Sequence, residues 1–516
     1  MSNFNFLYNF AFSRLSLLLI IINVTLMVLL MIPTVTVRAD DTKPDPRFGI
    51  VESYQASHIA NKWEVGWDRV VIEWYRVQPL GPNSWIPVYP HGLEIIEQYG
   101  DPIYRNNTEH SLLQNEWLDT AVQNSREIAA LLIGTPEWAT KGLPHRGVPE
   151  GLYLPVSDPG NHWANFVRRI VYEYSDQIKH WIIWNEPDIS FDHPGAQFDG
   201  SVEDYYRLVK VAYIVAKEID PDSVIHLGGL TYWHDVVYGR EPYLRRLLEI
   251  AASDKDAISN NFYFDVATVH VYFDSESVYQ IIKMQSDILV EFGLDKAIWM
   301  NETNAAPMDD PLHPWYDPIL PVTLEQQASF LIQSSTLAFA AGAERIAIYK
   351  LFDHVGPVMG LESYGLIRNN GSLRPASIAY QVLSENLSHF QTVSHSIWPT
   401  HHVVTLLSPM RRTIVAWART NNDIEAIVDP LLDTQDAFII DQRGNRLPIY
   451  SVNGKYHLSL SGGYCDDGRE CLVGGEPLLM IEYQQCDLDH LVTQHDCMLW
   501  ISTGAEFTPS LIDHDF

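Results

Sequence analysis

Eight short apolar segments, separated by longer amphipathic ones, constrain the fold of this chain more than any other feature of its sequence. The candidate strands are Phe48–Ser53, Arg69–Glu73, Ile128–Ile133, Lys179–Trp184, Ser223–Gly228, Val266–Val271, Ala297–Asn301 and Arg345–Tyr349. Between them, apolar residues recur at three- and four-residue steps in Glu116–Arg126, His162–Tyr174, Val202–Ile219, Pro242–Ala252, Ser275–Glu291 and Leu324–Ala340. Strands that alternate with helices form parallel sheets, so eight such units predict a (β/α)8 TIM barrel.

The main alternative for this pattern is an open, doubly wound parallel sheet. That fold usually carries Gly-x-Gly-x-x-Gly after its first strand, and neither this motif nor another phosphate-binding glycine-rich loop occurs in the sequence. Two long intervals, 80–115 and 139–161, are rich in Pro, Gly, Asn, Trp and Tyr. We expect both to be loops that wall the catalytic face of the barrel.

The periodicity changes after a last predicted helix at Pro375–Leu387. Short alternating segments follow, separated by turn residues, at Val403–Leu407, Arg412–Arg419, Ile424–Val428, Ala437–Asp441, Leu447–Val452, Lys455–Leu460 and Leu478–Tyr483. The sequence therefore predicts a barrel over residues 40–388, a small antiparallel β-sandwich over 389–485 and a tail over 486–516.

The N-terminus resembles an export signal. Arg14 precedes an apolar stretch from Leu15 to Ile32, and Val37-Arg38-Ala39 follows before two aspartates. These features predict a signal peptide over residues 1–39, cleaved after Ala39, and a secreted protein. An uncleaved membrane anchor is the alternative, since the apolar stretch approaches the length of a membrane span.

All four cysteines, Cys465, Cys471, Cys486 and Cys497, lie near the end of the chain. No pair has the Cys-x2-Cys spacing that is typical of zinc sites, so we expect disulfides, with three pairings open. The chain is strongly acidic, with 34 Lys+Arg against 65 Asp+Glu and a net charge of −31. Such a surface repels phosphate backbones and anionic headgroups, which argues against nucleic acid or an anionic membrane as a partner.

Two glutamates at predicted strand ends carry the functional hypothesis. Trp184-Asn185-Glu186-Pro187 ends the fourth strand, and Asn301-Glu302 ends the seventh. The carboxyl ends of all barrel strands converge on one face, so Glu186 and Glu302 should oppose each other. A single such glutamate is often a salt-bridge partner or a helix cap, but two opposed carboxylates are the machinery of glycoside hydrolysis.

The sequence here is similar to glycoside hydrolase clan A, the retaining (β/α)8 glycosidases, and most similar to bacterial family 39-like and family 5-like members. The resemblance lies in Asn185-Glu186-Pro187 with Glu302, Gly66–Trp74 followed by Pro79, Gly134–Ala139, His270-Val271-Tyr272 and Tyr364–Pro375. It implies that Glu302 is the nucleophile and Glu186 the acid/base. It also implies that Asn185 binds the sugar 2-hydroxyl and that Arg69, His270 and Tyr272 support the nucleophile.

Some of these residues have plain structural alternatives. Arg69 could pair with Asp68 or Glu73, and His270 could be an ordinary buried histidine. Trp74 and Trp138 could stack on a sugar or pack in the core. The chain departs from the clan on strand eight, where many members carry a tryptophan under the bound sugar and this chain has Ile348-Tyr349-Lys350.

Other catalytic classes lack their motifs in this sequence. There is no His-Glu-x-x-His and no Gly-x-Ser-x-Gly, so we predict no metal and no cofactor. The predicted partner is a carbohydrate, from a plant or microbial polysaccharide or oligosaccharide, and the predicted activity is O-glycosyl hydrolysis. The alternative is a carbohydrate-binding or cell-surface protein on a glycosidase barrel that has lost turnover.

Overall fold

The computed structural model describes residues 43–483 apart from 87–115, 313–321, 357–359, 410, 432–436, 464 and 466–470. The proposed signal peptide, most of the first long loop, Cys486, Cys497 and the C-terminal tail lie outside the described residues. The chain divides into Met1–Lys43 and Pro44–Phe516, and the elements below all belong to the second unit. No helix in the described ranges is both long and apolar enough to span a bilayer.

The eight predicted strands form a closed parallel barrel, which confirms the predicted fold. They are β1 (Phe48–Ile50), β2 (Trp67–Glu73), β3 (Glu127–Ile133), β4 (His180–Ile183), β5 (Val224–Leu227), β6 (Val266–Tyr272), β7 (Ala297–Asn304) and β8 (Arg345–Ile348). Neighbours in sequence are neighbours in space, and β8 closes the barrel against β1, with Gly49 opposite Ala347. The barrel interior is filled by Val51, Trp67, Ala129, Leu131, Ile182, Val266, Trp299 and Ala347.

Ten helices accompany the strands in the described part of the chain. They are α1 (Ser57–Lys62), α2 (Trp74–Val77), α3 (Glu116–Gln123), α4 (His162–Tyr174), α5 (Val202–Ile219), α6 (Trp233–Val237), α7 (Tyr243–Ser253), α8 (Ser275–Glu291), α9 (Leu324–Ala341) and α10 (Pro375–Leu387). The main hydrophobic core joins apolar residues of these helices to the outward-facing residues of the barrel strands. The predicted loop at 139–161 contains turns and one bridge, between Thr135 and His145.

The two longest helices begin at sequence-encoded capping boxes. The Ser201 hydroxyl accepts from the Asp204 amide at the start of α5, and Thr323 and Gln326 make the same reciprocal pair at the start of α9. Each cap satisfies amide groups that the first helical turn leaves unpaired, which stabilises a helix by about 1 kcal/mol. Helix α9 ends at Gly342, whose φ of 101° suits glycine.

An antiparallel β domain follows α10, as predicted. Its strands are β11 (Thr392–Ile397), β12 (His401–Leu407), β13 (Arg411–Ala418), β14 (Ile424–Val428), β15 (Ala437–Asp441), β16 (Arg446–Ile449), β17 (Tyr456–Leu460) and β18 (Leu478–Tyr483). A six-stranded sheet has the order β11-β12-β13-β18-β15-β16, and β14 pairs with β17. A short hairpin, β9 (His354–Gly356) with β10 (Gly360–Glu362), lies between the barrel and this domain in sequence.

Polar contacts join the β domain to the barrel helices. His402 Nε2 lies 2.6 Å from Glu276 Oε1 on α8, and Arg419 donates to both oxygens of the same carboxylate. One disulfide, between Cys465 and Cys471, lies within this domain. This bond is one of those that the sequence left open. The barrel itself, residues 40–388, contains no cysteine.

Candidate active site

Four barrel strands bring the predicted site residues together. Glu186 follows β4, Glu302 lies in β7, His270 lies in β6, and Arg69 lies in β2. One carboxylate oxygen of each glutamate and a ring nitrogen of His270 all lie within 4.8 Å of one another. The two glutamates, which are 116 positions apart in the sequence, therefore face each other across one cleft.

Glu302 is held by a cation and a hydroxyl. The Arg69 guanidinium contacts one oxygen of Glu302, and the Tyr272 hydroxyl donates to the other. The alternative partners of Arg69 are engaged elsewhere, since Asp68 accepts from Ser53 and Glu73 accepts from Tyr75. Arg69 thus pairs with the candidate nucleophile.

An extra residue in β7 sets the direction of the Glu302 side chain. Val269 lies opposite Met300 and His270 opposite Glu302, so Asn301 has no opposite residue on β6. An extra residue of this kind bends a strand and redirects the next side chain. Asn301 is fully buried and Glu302 is 6% exposed, which places the carboxylate at the inner edge of the cleft.

The environment of Glu302 favours its ionised form. Burial alone would raise the pKa of the Glu302 carboxyl, but the charge of Arg69, a nearby His270 and the Tyr272 hydrogen bond outweigh it, so its pKa is lowered. Burial and the Glu302 charge raise the pKa of Tyr272 well above its usual value, which keeps the phenol protonated as a donor. Glu302 is therefore poised as a carboxylate.

Glu186 has different surroundings. Its side chain is 16% exposed against 7% for Glu302, and no arginine or lysine pairs with it among the described residues. Its closest partner is His270, whose Nδ1 lies 2.7 Å from Glu186 Oε1 and 3.4 Å from Glu302 Oε2. The histidine ring fits there because residue 229 is glycine, since a Cβ at Gly229 would lie 2.0 Å from His270 Nε2.

The backbone around Glu186 adopts an uncommon conformation. Trp184 has a φ of 69° and Glu186 a φ of 44°, both in the left-handed region that non-glycine residues rarely occupy. Asp188 joins this turn to the segment after β5. Its Oδ2 accepts from Thr231 N at 2.8 Å, Thr231 Oγ1 at 2.9 Å and Tyr232 N at 3.1 Å. Burial and the charges of Glu186 and Asp235 raise the pKa of Asp188 to about 6.

Asn185 directly precedes Glu186. It is 7% exposed, and its buried Oδ1 has no hydrogen-bond partner within the described ranges. The same holds for Nε and Nη1 of Arg69. Both side chains thus have polar atoms without a protein partner near the two carboxylates.

The two tryptophans predicted at the site differ in burial. Trp74 is fully buried, its ring stacks on Phe166 at 5.0 Å, and its indole donates to Gln78, so it supports the site from the core and cannot contact a sugar. Trp138 is half-buried and donates to the Gln78 carbonyl at 2.7 Å. Trp74 thus proves to be a packing residue, whereas Trp138 keeps an accessible edge.

Sequence reasoning assigned no role to Tyr349, Tyr364 or Asp188. Tyr349 directly follows β8, its ring lies 5.7 Å from that of Tyr364, and each of the two rings contacts the ring of Tyr272. Asn304 fixes both by donating to their carbonyls. The available signal was strand eight, where the sequence has Ile348-Tyr349-Lys350 and lacks the tryptophan that the resemblance implies.

The triad of Glu186, His270 and Glu302 has a spacing that a metal ion could also use. The Arg69 guanidinium, however, already places a positive charge on Glu302, and Tyr272 occupies its second oxygen. A divalent cation would be repelled by Arg69 and would have to displace the Tyr272 hydrogen bond. The donor set thus fits paired carboxylates better than a metal centre.

The structure shares its fold with several solved glycoside hydrolases. A family 39 glycoside hydrolase from the gut symbiont Bacteroides cellulosilyticus WH2 has 14% identity and a TM-score of 0.59, covering 86% of this chain and 82% of that chain. A GH30 endoxylanase from Clostridium papyrosolvens C71 has 10% identity and a TM-score of 0.51, covering 86% and 97%. A family 51 alpha-L-arabinofuranosidase, AbfB from Bifidobacterium longum, has 12% identity and a TM-score of 0.51, covering 86% and 97%.

No protein-family model and no curated protein matches this sequence. At identities of 10–14% the likeness to the solved structures establishes the fold. That fold is a (β/α)8 barrel followed by an antiparallel β domain, which the alternation of strands and helices predicted.

Proposed function

We propose that this protein is a retaining glycoside hydrolase with Glu302 as nucleophile and Glu186 as acid/base. The observation that carries the proposal is the asymmetry of the facing carboxylates. Glu302 is buried against Arg69 and Tyr272, whereas Glu186 is more exposed and contacts His270. Neighbours that separate the properties of two carboxyl groups are the usual mark of an acid and a nucleophile.

In the first step, Glu302 attacks the anomeric carbon and the bond to the leaving oxygen breaks. Glu186 gives its proton to that oxygen, so the leaving group departs as a neutral alcohol and a covalent glycosyl-enzyme remains. The positive charge that develops on the sugar is stabilised by the carboxylate of Glu302. Asn185, with its unpaired Oδ1, would accept from the sugar 2-hydroxyl, a contact that strengthens in the transition state.

In the second step, Glu186 works as a base. It removes a proton from water, the water oxygen attacks the anomeric carbon, and Glu302 leaves as a carboxylate. Glu186 is then protonated again, and the released sugar has the configuration of the substrate.

The spacing supports retention rather than inversion. Retaining pairs lie about 5–5.5 Å apart, and inverting pairs need about 6.5–9.5 Å to admit a water between sugar and base. One oxygen of Glu186 lies within 4.8 Å of one oxygen of Glu302.

The proposed substrate is an uncharged glycoside. A net charge of −31 disfavours polyanionic glycans. Tyr349 and Tyr364, packed against Tyr272 beside the nucleophile, would contact the sugar whose bond is cleaved. Because structural neighbours include an endoxylanase and an arabinofuranosidase, xylosides and arabinofuranosides are the first candidates.

A panel of 4-nitrophenyl glycosides tests the proposal. The wild type should release nitrophenol from at least one member, and Glu302→Gln should abolish release. Glu186→Ala should retain activity on nitrophenyl substrates, whose leaving group needs little protonation, but lose it on the matching oligosaccharide. Wild-type turnover in either variant would contradict the assignment, and binding of glycans without any hydrolysis would favour a carbohydrate-binding protein.

We also propose that the protein is exported. The N-terminal signal pattern of residues 1–39 and the Cys465–Cys471 disulfide both support an oxidising, extracytoplasmic location. N-terminal sequencing of the exported protein should begin at Asp40. An N-terminus that retains Leu15–Ile32 would favour the membrane anchor.

A further inference from the structure

Two loops on the acid/base side of the cleft carry exposed aromatic side chains. Residues 188–199 follow β4, and residues 231–240 follow β5 and contain α6. Phe191 is 72% exposed, Trp233 43% and Tyr238 46%, and we call these three residues the aromatic rim. Large apolar side chains are seldom left in water without a function when several occur together.

The two loops form one structure. The rings of His193 and His234 lie 4.7 Å apart in an edge-to-face arrangement, and the Tyr238 hydroxyl donates to Asp192 Oδ1 at 3.2 Å. Arg240 Nη2 donates to the Asp188 carbonyl at 2.9 Å and its guanidinium lies over the Tyr238 ring. Phe191 and Tyr238 are therefore presented from a common base.

That base is attached to the turn that carries Glu186. Asp188, two residues after the proposed acid/base, accepts three hydrogen bonds from Thr231 and Tyr232 at the start of the second loop. The charge of Glu186 also acts on the half-buried imidazole of His234. The aromatic rim is consequently attached to the turn that carries Glu186.

The proposed reaction places the leaving group on the Glu186 side of the cleft. Glu186 delivers its proton to the leaving oxygen, so the leaving group must lie on the Glu186 side. Sugar rings present apolar C–H faces that stack on exposed aromatic rings, and their hydroxyls need polar partners nearby. The two loops offer both, because they also carry Asp192, His193 and His234.

We propose that Phe191, Trp233 and Tyr238 bind the sugar units of the leaving group, so that the substrate is an oligosaccharide or polysaccharide extending beyond the cleaved bond. This inference rests on the proposed function. The competing occupant is a protein partner, because Val236 and Val237 on the same loop are also exposed. The position beside the acid/base favours the sugar.

Two substrates with the same glycone distinguish binding of the leaving group from cleavage of the glycosidic bond. A glycosyl fluoride has a one-atom leaving group that cannot reach the rim, whereas an oligosaccharide of the same sugar must occupy it. For Trp233→Ala and for the double variant with Phe191→Ala, the ratio of kcat/KM on oligosaccharide to kcat/KM on fluoride should fall about tenfold or more. Trp233→Phe should restore most of the ratio because it restores a ring.

Tyr172→Ala is the matched control, since Tyr172 is 75% exposed but lies on α4, outside both loops. An unchanged ratio in the rim variants, with wild-type hydrolysis intact, would overturn the inference alone. An unchanged ratio together with altered self-association would identify a protein-binding surface instead. Failure of the wild type to hydrolyse any glycoside would overturn the proposed function and this inference with it.

Discussion

At the scale of single residues, neighbours make two identical side chains chemically different. Arg69 and Tyr272 supply a positive charge and a hydrogen bond to Glu302, and both favour the carboxylate over the acid. Glu186 has no arginine or tyrosine partner among the described residues, and its Oε1 lies 2.7 Å from His270 Nδ1. The acidic limb of the activity profile should therefore report Glu302.

Removal of the Tyr272 hydroxyl tests whether Glu302 sets the acidic limb. The folded pKa of Glu302 is below its usual value, so activity in kcat/KM should persist below about pH 4.5 in the wild type. Tyr272→Phe removes a hydrogen bond that favours the carboxylate, so the acidic limb should move to higher pH. A pH profile of kcat/KM on the best nitrophenyl glycoside measures the shift.

Tyr153→Phe is the matched control, because the Tyr153 hydroxyl donates at 2.7 Å to the exposed Asp204 at the start of α5 and to neither glutamate. Its profile should overlay that of the wild type. An acidic limb that does not move in Tyr272→Phe would show that Glu302 is not the group that it reports.

Sequence reasoning reached some of these residues and missed others for a physical reason. Glu186 and Glu302 were predictable because strand ends converge in any barrel. Asp188 was not, since its partner Thr231 is distant in sequence and its bonds depend on how two loops meet. Trp74 was ambiguous, because burial decides between core and ligand contact and a motif does not state burial.

At the scale of elements, buried ion pairs fix the loop that follows β8. Arg374 is 1% exposed and donates to Asp310 at 2.8 Å, to both oxygens of Asp353, and to the Gly365 carbonyl. The same loop carries Tyr364, which packs on Tyr272. The network thus links the loop after β7 to the wall of the cleft.

Truncation of Arg374 should be costly. Arg374→Met leaves Asp310 and Asp353 buried with less positive charge, and loss of one partner of a buried pair costs about 3–5 kcal/mol. Urea denaturation measures the loss. Arg443→Met removes an exposed cation that pairs with Glu325 and Glu476, and it should cost less than about 1 kcal/mol.

Equal losses in the two arginine variants would show that burial does not govern the strength of this network. The activity of Arg374→Met, measured where the variant is folded, should also fall, because Tyr364 loses its support. Unchanged activity would show that the ion pairs of Arg374 do not support the site.

Element boundaries were predictable where caps and periodicity agree. His162–Tyr174, Val202–Ile219 and Ser275–Glu291 have the bounds that the apolar spacing predicted. Strand β11 was missed, because Thr392–Ile397 is an edge strand whose residues are mostly exposed and lack an apolar face. Edge strands owe their structure to one neighbour, which sequence periodicity does not show.

At the scale of the whole molecule, the barrel supplies the catalytic face and the β domain packs behind two of its helices. The Glu276 carboxylate on α8 is held by His402 and Arg419 of the β domain. Gln333 on α9 donates to the Gly475 carbonyl at 2.8 Å. These contacts lie on helices α8 and α9, outside the barrel strands.

The overall architecture followed from the sequence because eight strand–helix units restrict the possible topologies to very few. The substrate did not follow, because it depends on loops such as 188–199 and 231–240. Their exposed side chains have no periodicity, and their placement is decided by contacts such as Asp192 with Tyr238.

The most direct test of the account is covalent trapping of the intermediate. The protein should be incubated with the activated 2-deoxy-2-fluoro derivative of the sugar that it hydrolyses, which slows both steps and lets the glycosyl-enzyme accumulate. Peptide mass spectrometry should then find one fluoroglycosyl group on the peptide that contains Glu302, and none on Glu302→Gln. Hydrolysis of the aryl glycoside without any trapped adduct, or an adduct on a different carboxylate, would contradict the assignment.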